Sequence, residues 1–465
     1  MNNYDVIVVG AGPAGIFLCH ELKKINPKKR VLFVELGEEI ETKKLKEGEE
    51  AFVRRLEPVC KGLDNICDEK AYKYLGGEKF NQIAKNIQLT YALYANSKEK
   101  IDLTDGFVKN CEELAAKYGL TMEYEKVDTI TPLQLRQLFE SVKERFGYLG
   151  VDKIYGDIIC NPIIEDNKVL GVSISSLQNE NETTKYYAPN VVLAVGINCK
   201  EWLKNICETY NIPMASGQVE IGVRYEFSGD VLDSRYSKYD IKFTSHGKKE
   251  KPDNVMTSPI VRNGKVDVEE DEEFAGNVVT GKSKLLNNTI NFSKNNNMAI
   301  RCVYKTYDYD GYNKTDKIMC INQRLKSESE NGVIVQRLGD VMASLLKNMY
   351  IPTEKKWLDK NTITPSFKLA APGDLIYAIG ETNVKEIVNM IMAIDNLFPG
   401  FACSDSLLYA PDIILHPERV SVSEKFETNI SGLYCVGDLA QILSPGIISS
   451  SVLAACLAHI LSEEN

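Results

Sequence analysis

The polar and apolar positions of this chain fall into blocks whose period changes along its length. Residues 4 to 9, "YDVIVV", are a short apolar run that leads at once into the glycine-rich "GAGPAG". The stretch after it, "GIFLCHELKK", places Ile16, Leu18, Cys19 and Leu22 on one side of a helix, and residues 31 to 35, "VLFVE", form a second apolar run. Strand, tight turn, helix and strand in about thirty residues predict a parallel pair joined by a crossover.

From 38 to 128 the sequence becomes rich in lysine and glutamate, with helical periodicity in "KNCEELAAKYG" and a loop at "YKYLGGEKF", and reads as a helical insertion. At "TPLQLRQLFESVKERFG" the helix signals agree. Thr131 suits the N-cap, Pro132 the first helical position and Gln134 a capping box, while Leu135, Leu138, Phe139 and Val142 make an apolar stripe, so a helix is predicted over 132–146. Strand-like stretches follow in "DIICNPIIEDNKVLGVSISS", with a hairpin turn near Asp166 and Asn167, and in "APNVVLAVG". Residues 216 to 400 carry short β-like runs, polar loops such as "LLNNTINFSKNNN" and "TSHGKKEKPDN", and helices such as "LGDVMASLLKNMY". Strand, glycine and helix return in "GLYCVGDLAQILSPGIISSSVLAACLAHIL". This order predicts an α/β fold. A Rossmann-like domain, discontinuous over 1–215 and 401–465, would contain the helical insertion of about 38–128, and an α+β substrate or cap domain would occupy 216–400.

Composition narrows the picture. A length of 465 residues calls for more than one ordinary core. A formal net charge of -10 argues against a nucleic-acid partner, which needs a basic face. No apolar stretch approaches the ~20 residues that span a bilayer, and "MNNYDVIVVG" lacks the basic start of a signal peptide, so a cytoplasmic protein without a membrane partner is expected. The twelve cysteines include no CxxC pair, and only four histidines accompany them, which predicts reduced thiols rather than a metal site or a disulfide framework. Cys60 and Cys67 are read as ordinary thiols.

Candidate chemistry starts in the first turn. Gly10, Gly12 and Gly15 stand between a strand and a helix, the context that a dinucleotide fingerprint requires. Gly10 permits the tight turn, Gly12 lets the backbone approach a pyrophosphate, and Gly15 lets the helix pack on the strand. Pro13 and Ala14 open a helix whose N-terminus offers N–H groups and a positive dipole end. Glu35, at the end of the second strand, is placed to accept hydrogen bonds from a ribose diol. NAD and FAD both satisfy these features. Two distant stretches favour FAD: "VVLAVG", an apolar strand running through Ala194 to Gly196, and "TNISGLYCVGD", a strand ending at Gly437 and Asp438. After them Gly446, Ile447 and Ile448 begin a small-residue helix whose N-terminus suits the negative edge of a flavin.

These motifs resemble the bacterial family of FAD-dependent dehydrogenases, or NAD(P)/FAD-dependent oxidoreductases, within the glutathione-reductase-like FAD-binding superfamily. The similar segments include "EWLKNICETYNIPMASGQVEIGVRYE", "NGVIVQRLGDVM", "TITPSFKLAAPGDL" and "FPGFACSDSLLYAPDI". The resemblance implies a glutathione-reductase-type fold that binds FAD through Gly10, Gly12, Pro13, Ala14, Gly15, Glu35, Leu36, Gly76, Gly77, Ile158, Ala194, Gly196, Gly437, Asp438, Gly446, Ile447 and Ile448. It also implies hydride transfer between flavin N5 and a small-molecule substrate, with an external electron donor or acceptor. The loop at Gly76 and Gly77 departs from the family pattern, since Asn81, Gln82 and Ile83 follow Phe80 in place of serine, aspartate and glycine, and Thr364 replaces a basic residue before Pro365. A flavin-dependent monooxygenase or tailoring enzyme, and a scaffold that merely holds FAD, are the alternatives. Candidate catalytic residues are His416, which has a titratable ring in the neutral range, with Arg224 and Tyr409 to hold an anionic or carbonyl group. Arg337 reads equally as an ion-pair partner, His20 as a packing residue, and Asn295 to Asn297 as either a pocket lining or a polar loop.

Overall fold

The computed structural model describes residues 2–35, 51–54, 74–93, 106–130, 132–156, 158–176, 179–215, 217–232, 239–246, 252–282, 293–304, 314–440 and 447–463. The chain divides into two compact units. One comprises Met1–Lys98, Asp128–Ser216 and Pro417–Asn465, the other Glu99–Val127 and Gly217–His416.

The first unit is built on a parallel sheet in the order Leu433–Cys435, Asn190–Leu193, Val6–Val9, Val31–Glu35, Val151–Tyr155. Its strands are continuous β-branched and aliphatic runs because helices leave neither face to water: Val6 through Val9 are all buried. The helix Pro13–Ile25 packs against the last helix, Ile447–Glu463, which is apolar nearly all round and buries Leu453, Ala454, Ala455, Cys456, Leu457 and Ala458. The helix predicted from 132 forms as Pro132–Leu149 and buries Leu138, Val142 and Phe146, with Phe146 edge-on to Phe33 at 5.3 Å between ring centres. Its expected N-cap, Thr131, lies outside the described residues, as do Cys60 and Cys67. The hairpin at Asp166 and Asn167 forms with φ of 48° and 57°, the left-handed pair that a two-residue turn needs, and joins Ile158–Glu165 to Lys168–Ser176. A third strand, Asn179–Tyr187, extends this antiparallel sheet.

The second unit holds a long, mostly antiparallel sheet. Within the unit its order runs Ala371–Pro372, Ile334–Arg337, Leu407–Leu415, Val219–Ser228, Asn295–Tyr304, Asn254–Thr257, Tyr239–His246 and Leu120–Ile130. Val219, Ile221, Val223, Tyr225 and Phe227 alternate onto a face packed with Ile318, Leu325, Leu338, Val341, Ile387 and Ile391 of the helices Lys314–Glu328, Leu338–Lys347 and Glu381–Asp395. The hairpin of Lys265–Asp271 and Gly276–Lys282 contributes Val266 and Val279 to a smaller cluster with Val335, Ile363, Phe367, Leu407 and Tyr409 on the opposite face.

Three expectations change. The segment 401–416 belongs with the second unit, because Leu407–Leu415 pairs on one side with Val219–Ser228 and on the other with Ile334–Arg337. The insertion of 38–128 is not wholly helical: it contains the strand Ala51–Arg54, and Leu120–Ile130 pairs with Tyr239–His246. Asn295 to Asn297 are not a polar loop but the start of a fully buried strand, in register with Ser228 to Glu226.

Candidate functional site

Four of the five parallel strands of the first unit end at residues singled out by the sequence. Gly10 follows Val6–Val9, Glu35 closes Val31–Glu35, Ala194 follows Asn190–Leu193, and Gly437 lies just beyond Leu433–Cys435. The carboxyl ends of adjacent parallel strands are where open α/β sheets bind ligands. Backbone bonds fix these ends to one another: Gly10 N–H donates to Val34 O (2.8 Å), Ala194 N–H to Val9 O (2.8 Å) and Val436 N–H to Leu193 O (3.1 Å).

The glycines have different reasons for being there. A Cβ on Gly15 would lie 1.9 Å from Gly10 O and 3.4 Å from the Phe33 ring, so only glycine lets the helix approach the strand. A Cβ on Gly10, at φ +113°, would lie 2.5 Å from Ala194 O. Gly12 has an ordinary φ of -74° and nothing within 4 Å of its added Cβ, so neither strain nor packing within the fold demands glycine there. Gly12 opens onto space at the helix N-terminus. The first intrahelical bond runs from Ile16 N–H to Gly12 O (3.1 Å), so the N–H groups of Ala14 and Gly15 precede the ladder and Pro13 has none to offer. Gly437, at φ +96°, brings the far end of the chain to this turn: its added Cβ would stand 3.5 Å from Ala14 Cβ.

Two carboxylates border the turn. Glu35 Oε2 accepts from Ala11 N–H at 2.5 Å, which ties the end of the second strand to the glycine loop. Asp438 Oδ1 accepts from Ser450 Oγ at 3.2 Å, and Asp438 O accepts from Arg419 Nε at 3.2 Å. Ser450 and Arg419 were not singled out beforehand; the signal for Ser450 lay in the serine run at the start of the last helix.

Leu36 and Gly446 lie outside the described residues. Ile447 and Ile448 do begin the last helix, with Ile448 buried in the core. Gly196 precedes a short 3-10 turn, and Ile158 opens the antiparallel sheet and packs on the core. Gly76 and Gly77 start the helix Gly77–Ala92, which runs antiparallel to the last helix, since Tyr91 OH is hydrogen-bonded to Ser451 Oγ (2.8 Å) and Lys79 pairs with Glu463. That places Gly76 and Gly77 toward the end of the last helix, roughly 20 Å along its axis from Ser450 and Asp438 at a rise of about 1.5 Å per residue. The expected role of this pair in the cofactor site is therefore not supported by its position.

In the second unit the even residues of Val219–Ser228 share the other sheet face, and burial pairs them with one another. Arg224 Nε donates to Asp412 Oδ2 (2.9 Å), Arg301 Nε to Asp412 Oδ1 (2.6 Å) and Arg301 Nη1 to Glu220 Oε2 (3.1 Å), while His416 Nε2 meets Glu220 Oε1 at 2.8 Å. Burial alone would raise the Glu220 carboxyl, but the His416 bond and the Arg301 charge hold it below the usual carboxylate range. A second cluster surrounds Glu226. It accepts from Asn295 Nδ2 (2.9 Å), Ser366 N–H (3.2 Å) and Tyr409 OH (2.8 Å), with no cation among them. Burial lifts the Glu226 carboxyl above its ordinary value, with these bonds pulling it partly back, and burial together with the Glu226 charge pushes the Tyr409 phenol well up.

Arg224 and Tyr409, expected to hold a substrate, thus hold carboxylates of the protein itself. Arg337 pairs with Asp405, which also accepts from Thr362. His20 pairs with Glu21 on the first helix. Of the predicted catalytic residues, His416 keeps the more open setting, with 14% of its side chain exposed against 6% for Arg224. Burial raises the thiol of Cys160 to about 12 and, with the charges of Glu208 and Glu418, that of Cys207 to about 11. Among the described residues no cluster has the makings of a metal site, and no helix is long and apolar enough to cross a membrane.

No protein-family model and no curated protein matches this sequence. Among solved structures the chain is similar to the E. coli quinol fumarate reductase FrdA, at 11% identity and a TM-score of 0.42 over 99% of this chain and 70% of that one. It is also similar to L-proline dehydrogenase from P. horikoshii, at 10% identity and a TM-score of 0.38 over 99% of this chain and 94% of that one. Glycine oxidase from Bacillus cereus gives 13% identity and a TM-score of 0.34 over 99% and 96%. Likenesses this remote fix neither the family nor the activity of this chain.

Proposed function

We propose that this protein is an FAD-dependent oxidoreductase that passes a hydride between FAD and a small organic substrate. The observation that carries the reading is the meeting of the two ends of the chain, with Gly437 against Ala14 at the N-terminus of the first helix. A nucleotide turn alone serves NAD or FAD, whereas a late Gly-Asp brought to that same turn adds a carboxylate placed for a longer dinucleotide. The residues fit the group. Gly12 leaves open space, the N–H groups of Ala14 and Gly15 with the helix dipole behind them would hold a pyrophosphate, and Glu35, at the end of its strand, would hold a ribose. FAD, when bound, supplies a carrier that exchanges two electrons and a proton's worth of hydrogen as hydride.

The protein's own part is to bind, orient and hold protons. Asp438, steadied by Ser450, would accept from hydroxyls of the cofactor's chain, and Glu35, steadied by the Ala11 N–H, would fix the ribose. In the second unit His416 would hold the proton that a substrate gains or loses, with Glu220 orienting its ring through Nε2.

The test is direct. The purified protein, or the protein reconstituted with FAD, is expected to show a bound flavin spectrum and to release FAD on denaturation. A colourless protein that takes up no FAD would contradict the reading. Anaerobic turnover supports hydride transfer, while substrate-dependent oxygen uptake yielding an oxygenated product would favour a monooxygenase.

A further inference from the structure

We propose that a cleft among the helices Pro13–Ile25, Gly77–Ala92 and Pro132–Leu149 of the first unit binds an amphipathic anion, an aliphatic chain ending in a carboxylate. This inference does not depend on flavin binding, because the cleft runs along the carboxyl half of the first helix, whose opposite end carries the glycine turn. Its volume is about 660 Å³, within the range of roughly 300–1,000 Å³ that small-molecule sites occupy.

The cleft is polarised along its length. The first helix leads into Val31–Glu35 and Pro132–Leu149 into Val151–Tyr155, two strands that pair in parallel, so the two helices run in one direction. Each contributes an apolar residue to the cleft and, seven residues later, a cation: Phe17 and Lys24 on the one, Leu138 and Arg145 on the other. Seven residues of helix span about 10 Å, which sets an apolar end apart from a cationic end. Ile87 and Val142 add buried apolar walls. At the mouth Leu93 and Tyr148 are 82% and 94% exposed, so the apolar surface continues out to solvent.

The cations of the lining outnumber its acids. Lys23, Lys24 and Arg145 share the cleft with one carboxylate, Glu21, which already pairs with His20 (3.2 Å) and Lys24 (3.3 Å). Lys23 is 4% exposed, and its ammonium donates to Pro27 O (2.6 Å) and Lys29 O (2.8 Å), which uses two of its three N–H bonds, while Asp152 and Asp5 offset its charge from a distance. It stands at the cationic end, with Nζ 3.9 Å from where a Cβ on Gly150 would lie, just past the close of Pro132–Leu149. In a chain of net charge -10 this local surplus of positive charge beside apolar walls complements a negative head on an apolar chain. The planar guanidinium of Arg145 matches the two oxygens of a carboxylate.

The full-length protein should be titrated by calorimetry with sodium hexanoate, octanoate and decanoate, and with decylammonium chloride, all below their micelle concentrations. One decanoate per chain is expected to bind, with affinity rising roughly five- to tenfold for each two methylenes added and decylammonium about tenfold weaker than decanoate. Arg145→Glu, at an exposed position, is expected to weaken decanoate about tenfold and to strengthen decylammonium, a reversal of preference that a loss of folding does not produce. Ser141→Trp, which fills the cleft from the helix Pro132–Leu149, is expected to abolish binding of both. Affinity indifferent to chain length, decylammonium bound as tightly as decanoate, or decanoate binding unchanged by either substitution would overturn the proposal.

Discussion

In the first unit the polar groups of interest sit at the carboxyl ends of strands, on the rim of an apolar sheet, and the closest approaches there are backbone to backbone. In the second unit they lie in the middle of a sheet face, beneath a hairpin, and satisfy one another. Gly12, with nothing near its added Cβ, shows a surface shaped by leaving out a side chain so that something outside the chain can come near. The Glu220, Arg301, Asp412 and Arg224 chain shows charges that already have their partners. Burial of a charge is therefore a poor sign of a binding site in this protein, and an open glycine is a better one.

Substitutions can break that contrast. The largest effect is expected from Asp412→Ala, which leaves the Arg224 and Arg301 guanidinium groups buried and uncompensated; unfolding in urea should show a loss of about 3–5 kcal/mol. Gly15→Ala should cost about 3 kcal/mol or more in the same measurement, because its Cβ has no room beside Gly10 O. Gly12→Ala, three residues away, should leave the urea midpoint nearly unchanged yet weaken FAD roughly tenfold or more, by placing a methyl where the pyrophosphate approaches. Equal losses of stability at Gly12 and Gly15 would remove the distinction between a packing glycine and a ligand glycine.

A finer comparison uses the two buried glutamates, which should respond to pH with opposite signs. Burial raises the Glu226 carboxyl above its ordinary 4.5, so the stability tied to its proton is full below that pH and is lost as pH rises through the raised value. The Glu220 carboxyl is lowered, so its contribution is present above 4.5 and is lost as pH falls through the lowered value. Glu226→Gln should flatten the alkaline side of the stability profile and leave the acid side, where Glu220 acts, in place. The smallest effect belongs to Lys79→Met. Its exposed pair with Glu463 is worth about 0.5 kcal/mol or less, and FAD binding should not change, because that end of the helix lies away from Asp438.

The two units also differed in how far the sequence disclosed them. The glycine turn, the strand ends and the Asp166–Asn167 hairpin were legible because each depends on a backbone requirement met within a few residues. The strand Val219–Ser228 was harder, since "VEIGVRYEFS" alternates as if one face were wet. The structure buries both faces. Its Glu and Arg positions are covered by elements distant in the chain, among them Ser366, Tyr409 and Asp412, and no local pattern announces that second layer. The same holds for Asn295 to Asn297, whose composition reads as a loop until the register with Glu226 is known. Gly76 and Gly77, which a resemblance assigned to the cofactor, open a helix that the Lys79–Glu463 contact ties to the end of the last helix.

The turn at Gly12, closed by Gly437 and Asp438, is proposed to hold FAD. The measurement that tests it most directly is a titration of the flavin-free protein with FAD, followed by flavin fluorescence, with NAD as competitor and Gly12→Glu as control. Saturable FAD binding that NAD does not displace is expected, lost in a Gly12→Glu protein whose melting temperature stays near that of the parent. FAD binding that survives Gly12→Glu in a folded protein, or no FAD binding by the parent, would contradict it.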